Sequence, residues 1–420
     1  MNSDLIKMAV VGNPIIHSLS PELFGYWGEK YQKNILYNRI ISDNPDEILH
    51  ICNSLNINYL NITSPLKNKF FSVSQKRDLS SYIYFAVNFF NVNQKNAFNF
   101  DAIGLSSILS KNHIAIHEKK ILIIGAGDTA ALIIDFIKQF KNNEITVFNR
   151  TENKAKKLSH IKRINYINDL KNISNFDIIF STIPDFREYV DESKIKDTTV
   201  LIDLNYSINK GKHFKFKYFN GLHWLIYQAM PVMIMLYQIL PNFDETYQYL
   251  SKLKKEKSKI ALIGFSGAGK TTIGEKLAEK INYDYYDTDQ IIEKYTGLEI
   301  PLIFDKFGID YFRNLEAKIL EYFETYKNVI ISTGGGIIEN PKSIEILKAY
   351  DNVIYIYSDL EQSISRINIE QKPVIKNLDS NSIKALFNQR KEKYFSSCNS
   401  IVYNNDDLNK TNNLIYENFR

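Results

Sequence analysis

The chain has 420 residues, too many for one ordinary core and suited to two or three domains; 44% are hydrophobic and 24% charged, the balance of a soluble globular protein. The net charge is +5 with no run of five or six Lys/Arg, which argues against a nucleic-acid binder and fits anionic small substrates. Cys52 and Cys398 lie far apart without CxxC spacing, so reduced thiols in a cytoplasmic protein are expected and a metal cluster is not.

The opening residues, MNSDLIKMAVVGNP, lack the apolar core of a signal peptide. KMAVVGNP (7–14) reads as a buried strand entering a turn at Gly12-Asn13-Pro14. INYLNITSPLK (57–67) begins as a strand and breaks at Pro65. KKILIIGAGDTAALIIDFIKQF (119–140) is a strand, a Gly turn and a helix. EITVFNR (144–150), FDIIFSTIP (176–184) and TTVLIDLNY (198–206) are further strands, and strands alternating with helices predict a doubly wound parallel sheet. GLHWLIYQAMPVMIMLYQIL (221–240) contains His223, Gln228, Pro231 and Gln238, so a buried helix is expected, not a membrane span. The charged stretch LSKLKKEKSK (250–259) reads as a domain boundary. A second α/β series follows in KIALIGFSGAGKTT, NVIISTGGG (328–336), NVIYIYSD (352–359) and SIVYN (400–404).

Two phosphate loops of different design stand out. Gly125-Ala126-Gly127-Asp128-Thr129-Ala130 fits G-x-G-x-x-A after a strand. Gly125 permits the turn, Gly127 admits a pyrophosphate, and Ala130 lets the helix pack close. The next strand ends in Asn149-Arg150-Thr151 with Lys154 nearby. Cations and hydroxyls there, in place of an acid, favour the 2′-phosphate of NADP over NAD; the plain alternative is a Gly turn beside a solvated basic helix start. The second loop, Gly264 to Gly269-Lys270-Thr271, satisfies G-x-x-x-x-G-K-[ST]. Its amides, with Gly267, Ala268 and Thr272, would cradle the phosphates of a nucleotide, as in an NTPase or a kinase; Lys270 would reach the β- and γ-phosphates, and the Thr271 hydroxyl would ligate Mg²⁺.

Other residues narrow the chemistry. Lys67 and Asp101, near a nicotinamide, would suit ketone reduction: hydride addition makes an alkoxide that an ammonium can protonate. Each also has a bland reading, a solvated lysine and a helix cap. Ser18 and Ser20 would point the same way if extended. Asp287 and Asp289 in DTD would share one face of an extended segment, one serving Mg²⁺ and the other a substrate hydroxyl. Arg313 and Glu316, three apart, are neighbours on one helix face, with an exposed ion pair as the bland reading. Gly334, Gly335 and Gly336 allow close backbone approach to a ligand.

From about 8 to 250 the order GNPxxHSxSP, NITxPxK, AVN, NxDxxG, GAGxxA and NRT resembles shikimate dehydrogenase. That resemblance implies Ser18, Ser20 and Thr63 on the substrate's carboxylate and hydroxyls and Lys67 with Asp101 as the catalytic pair. It also implies substrate contacts at Asn88 and Gln228 and a tyrosine near the carboxylate at Tyr206. The sequence departs from the family at Phe100, at Ser181 in STIP, and at His223-Trp224. From about 258 to 420 the P-loop, DTD, FRxxE, GGG and RxxxY resemble shikimate kinase. Carried over, Asp289 serves the acceptor hydroxyl, leaving Asp287 with Thr271 to the metal. Arg313 and Arg390 clamp the substrate carboxylate, Gly334–336 line the ring, and Arg366 lies near the adenine. Lys372 stands where the lid arginine usually precedes Pro, and should stabilise the transferring phosphoryl less well.

The fold expected is therefore α/β: a substrate domain over 1–103 and 222–252, a Rossmann NADP-binding domain over 104–221, and a P-loop kinase domain with a parallel sheet over 258–420. The function implied is NADPH-dependent reduction of 3-dehydroshikimate, then ATP- and Mg²⁺-dependent phosphorylation of shikimate, with small-molecule partners and neither nucleic acid nor membrane. The alternatives are an active kinase carrying a degenerate dehydrogenase-like binding or regulatory module, a dehydrogenase that also takes quinate, and a generic small-molecule kinase.

Overall fold

The computed structural model describes residues 5–205, 214–253, 258–405 and 407–419. They form two compact units, one of residues 1–69, 91–94 and 254–420 and one of 70–90 and 95–253. Each is built on parallel strands, whose connections must cross over and therefore use helices.

In the second unit the strand order is Lys217–Phe219, Val200–Asp203, Ile178–Ser181, Lys120–Ile124, Glu144–Phe148, Asn165–Ile167. Every pairing is parallel. The chain starts at Lys120–Ile124, winds to one side, then returns to wind to the other, so the order reverses beside that strand. A crevice opens outside its carboxyl end, which is where ligands bind in such sheets. Ile121, Leu122, Ile123 and Ile124 are fully buried, as a strand covered by helices on both faces requires. The apolar stretch after residue 220 forms the helix Gly221–Tyr237, which buries Leu225, Ile226, Val232 and Met233 and packs on the helix Asp101–Lys111. Among the described residues no helix is long and apolar enough to cross a membrane.

In the first unit the strands run Asp284–Asp287, Val329–Ser332, Lys259–Ile263, Asn352–Tyr357, Ser400–Tyr403, Ile35–Ile41, Ile6–Gly12, Tyr59–Ile62. All of these pairings are parallel. The strands around the P-loop and those of the N-terminal segment thus belong to one sheet, joined where Ser400 pairs with Arg39 and Ile401 with Ile40. One core runs beneath the seam: Val10, Ile15, Ile16 and Ile41 pack with Ile260, Ile354, Val402, Leu414 and Ile415. Each such side chain contributes roughly 1.5–3 kcal/mol on burial, so the seam is a substantial part of this unit's stability.

Candidate active sites

The P-loop joins the strand Lys259–Ile263 to the helix Lys270–Ile281. Lys270 is buried, and its Nζ donates to the carbonyls of Gly264 at 2.9 Å and Phe265 at 3.0 Å. Burial pulls its ammonium down to about 8, against the opposing charges of Asp289 and Asp287. The Thr271 hydroxyl donates to Asp287 Oδ2 at 2.9 Å. These two hard oxygen donors beside a phosphate loop fit Mg²⁺.

The DTD segment differs from its sequence reading. Asp287 ends the strand and caps the helix Thr288–Thr296, so Asp289 sits in the first helical turn and not on an extended face. The cause is local: Asp287 Oδ1 accepts from the Asp289 amide at 2.9 Å, which is N-cap geometry. Asp289 is aimed inward by that turn, and its Oδ1 is buried without a hydrogen-bond partner. Burial pushes its carboxyl above the ordinary range and the Asp287 charge adds to this, while Lys372, Lys270 and Arg313 pull it back.

Two cavities meet at this point. One, of about 340 Å³, is lined by Gly267, Gly269, Lys270, Thr271, Thr272, Asp287 and Arg366. The other, of about 60 Å³, is lined by Arg313, Gly336 and Arg390 with Phe304 and Phe312. Ser266, Asp289, Gly334, Gly335 and Lys372 line both. Ala268 lines neither cavity; it is buried, and its carbonyl accepts from Asn404 at 2.8 Å. Arg366 donates to the Gly267 carbonyl at 3.3 Å, on the P-loop side of the larger cavity.

The Arg313–Glu316 pair is not an exposed ion pair. Arg313 Nη1 meets Glu316 Oε2 at 2.6 Å, and the side chains are 9% and 0% exposed. Burial lifts the Glu316 carboxyl to about 7 in spite of Arg313. Behind them, a Cβ on Gly336 would lie 1.8 Å from Arg313 Nη2, so glycine is required for this approach. Arg390 is buried and held by Glu339 at 3.1 Å, which also pairs with Lys393. The Tyr394 hydroxyl bonds the Gly335 carbonyl. Sequence reasoning missed Ser266, Phe304 and Phe312. Phe312 is the first residue of FRxxE, whereas Phe304 carries no local signal and reaches the cavity from beyond the bend at Gly308.

In the second unit Gly125 has φ +115°, and a Cβ there would lie 2.1 Å from Thr182 Oγ1. A Cβ on Gly127 would meet nothing within 4 Å, leaving the start of the helix Asp128–Ile137 open to a pyrophosphate. Asp128 and Thr129 open that helix, Ala126 leads into it, and Ala130 is fully buried against the sheet. A cavity of about 350 Å³ lies beside the loop, lined by Gly125, Asn149, Arg150, Thr151 and Lys154, with Ile183 and Tyr189 opposite. The donor set fits a phosphorylated dinucleotide.

Asp101 is fully buried at the start of the helix Asp101–Lys111. Asn88 Nδ2 donates to Asp101 Oδ1 at 3.0 Å and to Gln228 Oε1 at 3.3 Å, so Asn88, Asp101 and Gln228 are brought together. Asn99 accepts from the Asp101 amide at 3.0 Å, and Trp224 Nε1 donates to its carbonyl at 3.0 Å. The departure at Trp224 thus has a packing role: its ring covers Gly104. Phe100 donates its amide to Asn88 Oδ1 at 2.8 Å, so that departure leaves the polar cluster intact.

In the first unit Ser18, Ser20 and Lys67 are buried and Thr63 is half-buried. The two serines are not on an extended segment. Ser20 opens the helix Ser20–Lys30, and a turn brings Ser18 Oγ to 3.3 Å from Ser20 Oγ. Lys67 opens the helix Lys67–Val73. Tyr206 lies outside the described residues.

Three family models match the chain: shikimate dehydrogenase substrate binding domain over 10–89, shikimate / quinate 5-dehydrogenase over 107–206, and shikimate kinase over 266–417. A shikimate kinase of Clostridium botulinum (strain Eklund 17B / Type B) is 37% identical over 154 residues, 37% of this chain and 92% of that one. Among solved structures, shikimate dehydrogenase from Aquifex aeolicus aligns with a TM-score of 0.52 at 21% identity, over 60% of this chain and 99% of that one. A shikimate dehydrogenase in complex with NADP+ aligns with a TM-score of 0.51 at 23% identity, over 61% and 98%. At these identities the two structures speak for the fold.

Proposed function

The chain belongs to the shikimate kinase family through its C-terminal region and carries both shikimate dehydrogenase domains before it, and from this premise we propose how the residues of one bifunctional enzyme divide the work. The first reaction reduces 3-dehydroshikimate to shikimate, and the second phosphorylates the 3-hydroxyl.

For the reduction, Gly125, Gly127 and the helix start at Asp128 hold the pyrophosphate of NADPH, and Arg150 and Lys154 take its 2′-phosphate. NADPH, when bound, supplies the hydride that turns the ketone into an alkoxide. Lys67 and Asp101 are the proton-handling pair, with Lys67 giving its proton to the nascent oxygen. Asn88 fixes the Asp101 carboxylate and shares its amide with Gln228, which holds a ring hydroxyl. Ser18 and Ser20, whose hydroxyls converge, receive the substrate carboxylate with Thr63.

For the phosphorylation, ATP occupies the larger cavity on Gly267–Thr272 and Arg366, with Mg²⁺ on Thr271 and Asp287. Arg313 and Arg390 bind the shikimate carboxylate in the smaller one. Asp289, pushed toward proton affinity by burial, accepts the hydroxyl proton as oxygen attacks the γ-phosphorus and ADP leaves. Lys270 and Lys372 stabilise charge on the phosphoryl oxygens.

The observation that carries this reading is that Asp289 and Lys372 line both cavities, where an acceptor hydroxyl and a γ-phosphate would meet. The test is a pair of variants on the full chain. Lys67→Ala should stop reduction and leave phosphorylation of added shikimate; Lys270→Ala should do the reverse. If either change abolished both activities in a folded protein, two separate sites would be refuted. An active kinase with no reduction in the wild type would favour a dehydrogenase-like module without turnover.

A further inference from the structure

The loop from Asn13 to Leu19 carries Ser18 and leads to Ser20, and its backbone is held by a residue more than four hundred positions later. Asn418, in the last turn of the helix Leu408–Phe419, accepts the amides of Ile15 at 2.5 Å and Ile16 at 3.0 Å on one oxygen. Its Nδ2 donates to Asn13 Oδ1 at 2.9 Å and to the Leu414 carbonyl at 2.8 Å. Asn418 is 2% exposed, so water cannot substitute for these bonds. Glu417 accepts from the Asn13 side chain, and Ile15 and Ile16 are sealed in a core with Leu414 and Ile415.

The restraint passes to the serines in short steps. The Ile15 carbonyl accepts the Ser18 amide at 2.9 Å, Ser18 Oγ accepts the Ser20 amide at 3.3 Å, and the two hydroxyls stand 3.3 Å apart. The far end of the loop is held from the same side. Arg39 Nη2 donates to the Ser18 carbonyl at 2.6 Å and to Glu22, while its own amide and Nη1 bond the Asn399 carbonyl just before the strand Ser400–Tyr403. The same C-terminal helix begins at Leu408, which lines the nucleotide cavity, and Asn412 ties it to the P-loop helix through the Ile273 carbonyl at 3.0 Å.

We infer that Asn418, contributed by the last helix of the kinase region, is a positioning residue of the dehydrogenase: it fixes the backbone from which Ser18 and Ser20 receive the substrate carboxylate. This rests on the reading of those serines given above. It explains why the N-terminal strands are sewn into the kinase sheet, and it makes reduction depend on a kinase-region side chain that the kinase reaction does not use.

The test compares full-length wild type, Asn418→Leu and Asn418→Asp. Leucine keeps the volume but offers no acceptor; aspartate keeps an acceptor for both amides. With shikimate and NADP+, Asn418→Leu should raise the shikimate KM about tenfold and change kcat less than about twofold. Asn418→Asp, which restores the acceptor for both amides but not the donor to Asn13 and the Leu414 carbonyl, should recover part of the lost affinity. The kinase constants for ATP and shikimate, measured on the same preparations, should not move. An unchanged dehydrogenase KM in Asn418→Leu, equal losses in both activities, or no recovery in Asn418→Asp overturns the inference. A wild type that does not oxidise shikimate overturns the reading beneath it instead.

Discussion

Gly336→Ala isolates the carboxylate clamp proposed for the kinase. The backbone there has φ −109°, open to any residue, so the change acts through its added methyl alone. That methyl would lie 1.8 Å from Arg313 Nη2, whereas carbon needs about 3.5 Å or more, so the guanidinium must retreat by roughly 1.7 Å. The guanidinium is the far end of a flexible side chain, and Glu316 can follow part of the movement, so the fold should survive. What is lost is one charge-assisted contact to the substrate carboxylate, worth about 1.5–3 kcal/mol, or roughly 10- to 150-fold in affinity. The assay is the kinase KM for shikimate, with the ATP KM and the dehydrogenase reaction as controls on the same chain. A shikimate KM within about twofold of wild type would refute the assignment of Arg313.

Replacing Arg150 and Lys154 together by Ala should raise the NADPH KM at least about tenfold and leave NADH use unchanged, since only the 2′-phosphate contacts are removed; a parallel loss with both coenzymes would contradict that role. His223 is packed among Phe219, Phe243 and Tyr247, and burial pulls its pKa from 6.5 to about 4. Its folded-state pKa is depressed, so its charged form opposes folding. Stability should be full above pH about 6.5 and fall by up to about 3 kcal/mol as the pH drops toward 4. His223→Phe should flatten that part of a urea-midpoint profile, and an unchanged slope would count against it. Lys372→Arg should raise kinase kcat by adding a planar donor fork at the junction of the two cavities, with little change in KM; an unaltered kcat would remove Lys372 from phosphoryl stabilisation.

Both phosphate loops were legible because their requirements are local: a strand, a turn that only small residues permit, and a helix start, all within about fifteen residues. The same holds for Asp287 and Asp289, although their geometry was not. An N-cap bond between residues two apart turned an apparent strand face into a helix start, and this set Asp289 inward. Burial was harder to read. FRxxE gives the spacing of Arg313 and Glu316, but whether the pair faces water depends on what packs over it, and Gly334 and Gly336, which lie against Glu316 and Arg313, come from another position in the chain. Least legible was the seam between Arg39–Ile40 and Ser400–Ile401. Each strand is an ordinary apolar run, and nothing in either announces a partner about 360 residues away. The charged stretch 250–259 reads as a boundary in the sequence, and strands from before and after it nevertheless share one sheet.

The most direct test follows both cosubstrates in one vessel. Purified chain with 3-dehydroshikimate, NADPH and ATP·Mg²⁺ should oxidise one NADPH and release one ADP for each shikimate 3-phosphate formed, with shikimate as the intermediate. ADP release from added shikimate without any NADPH oxidation from 3-dehydroshikimate, or oxidation without phosphate transfer, would contradict the claim that one chain performs both reactions.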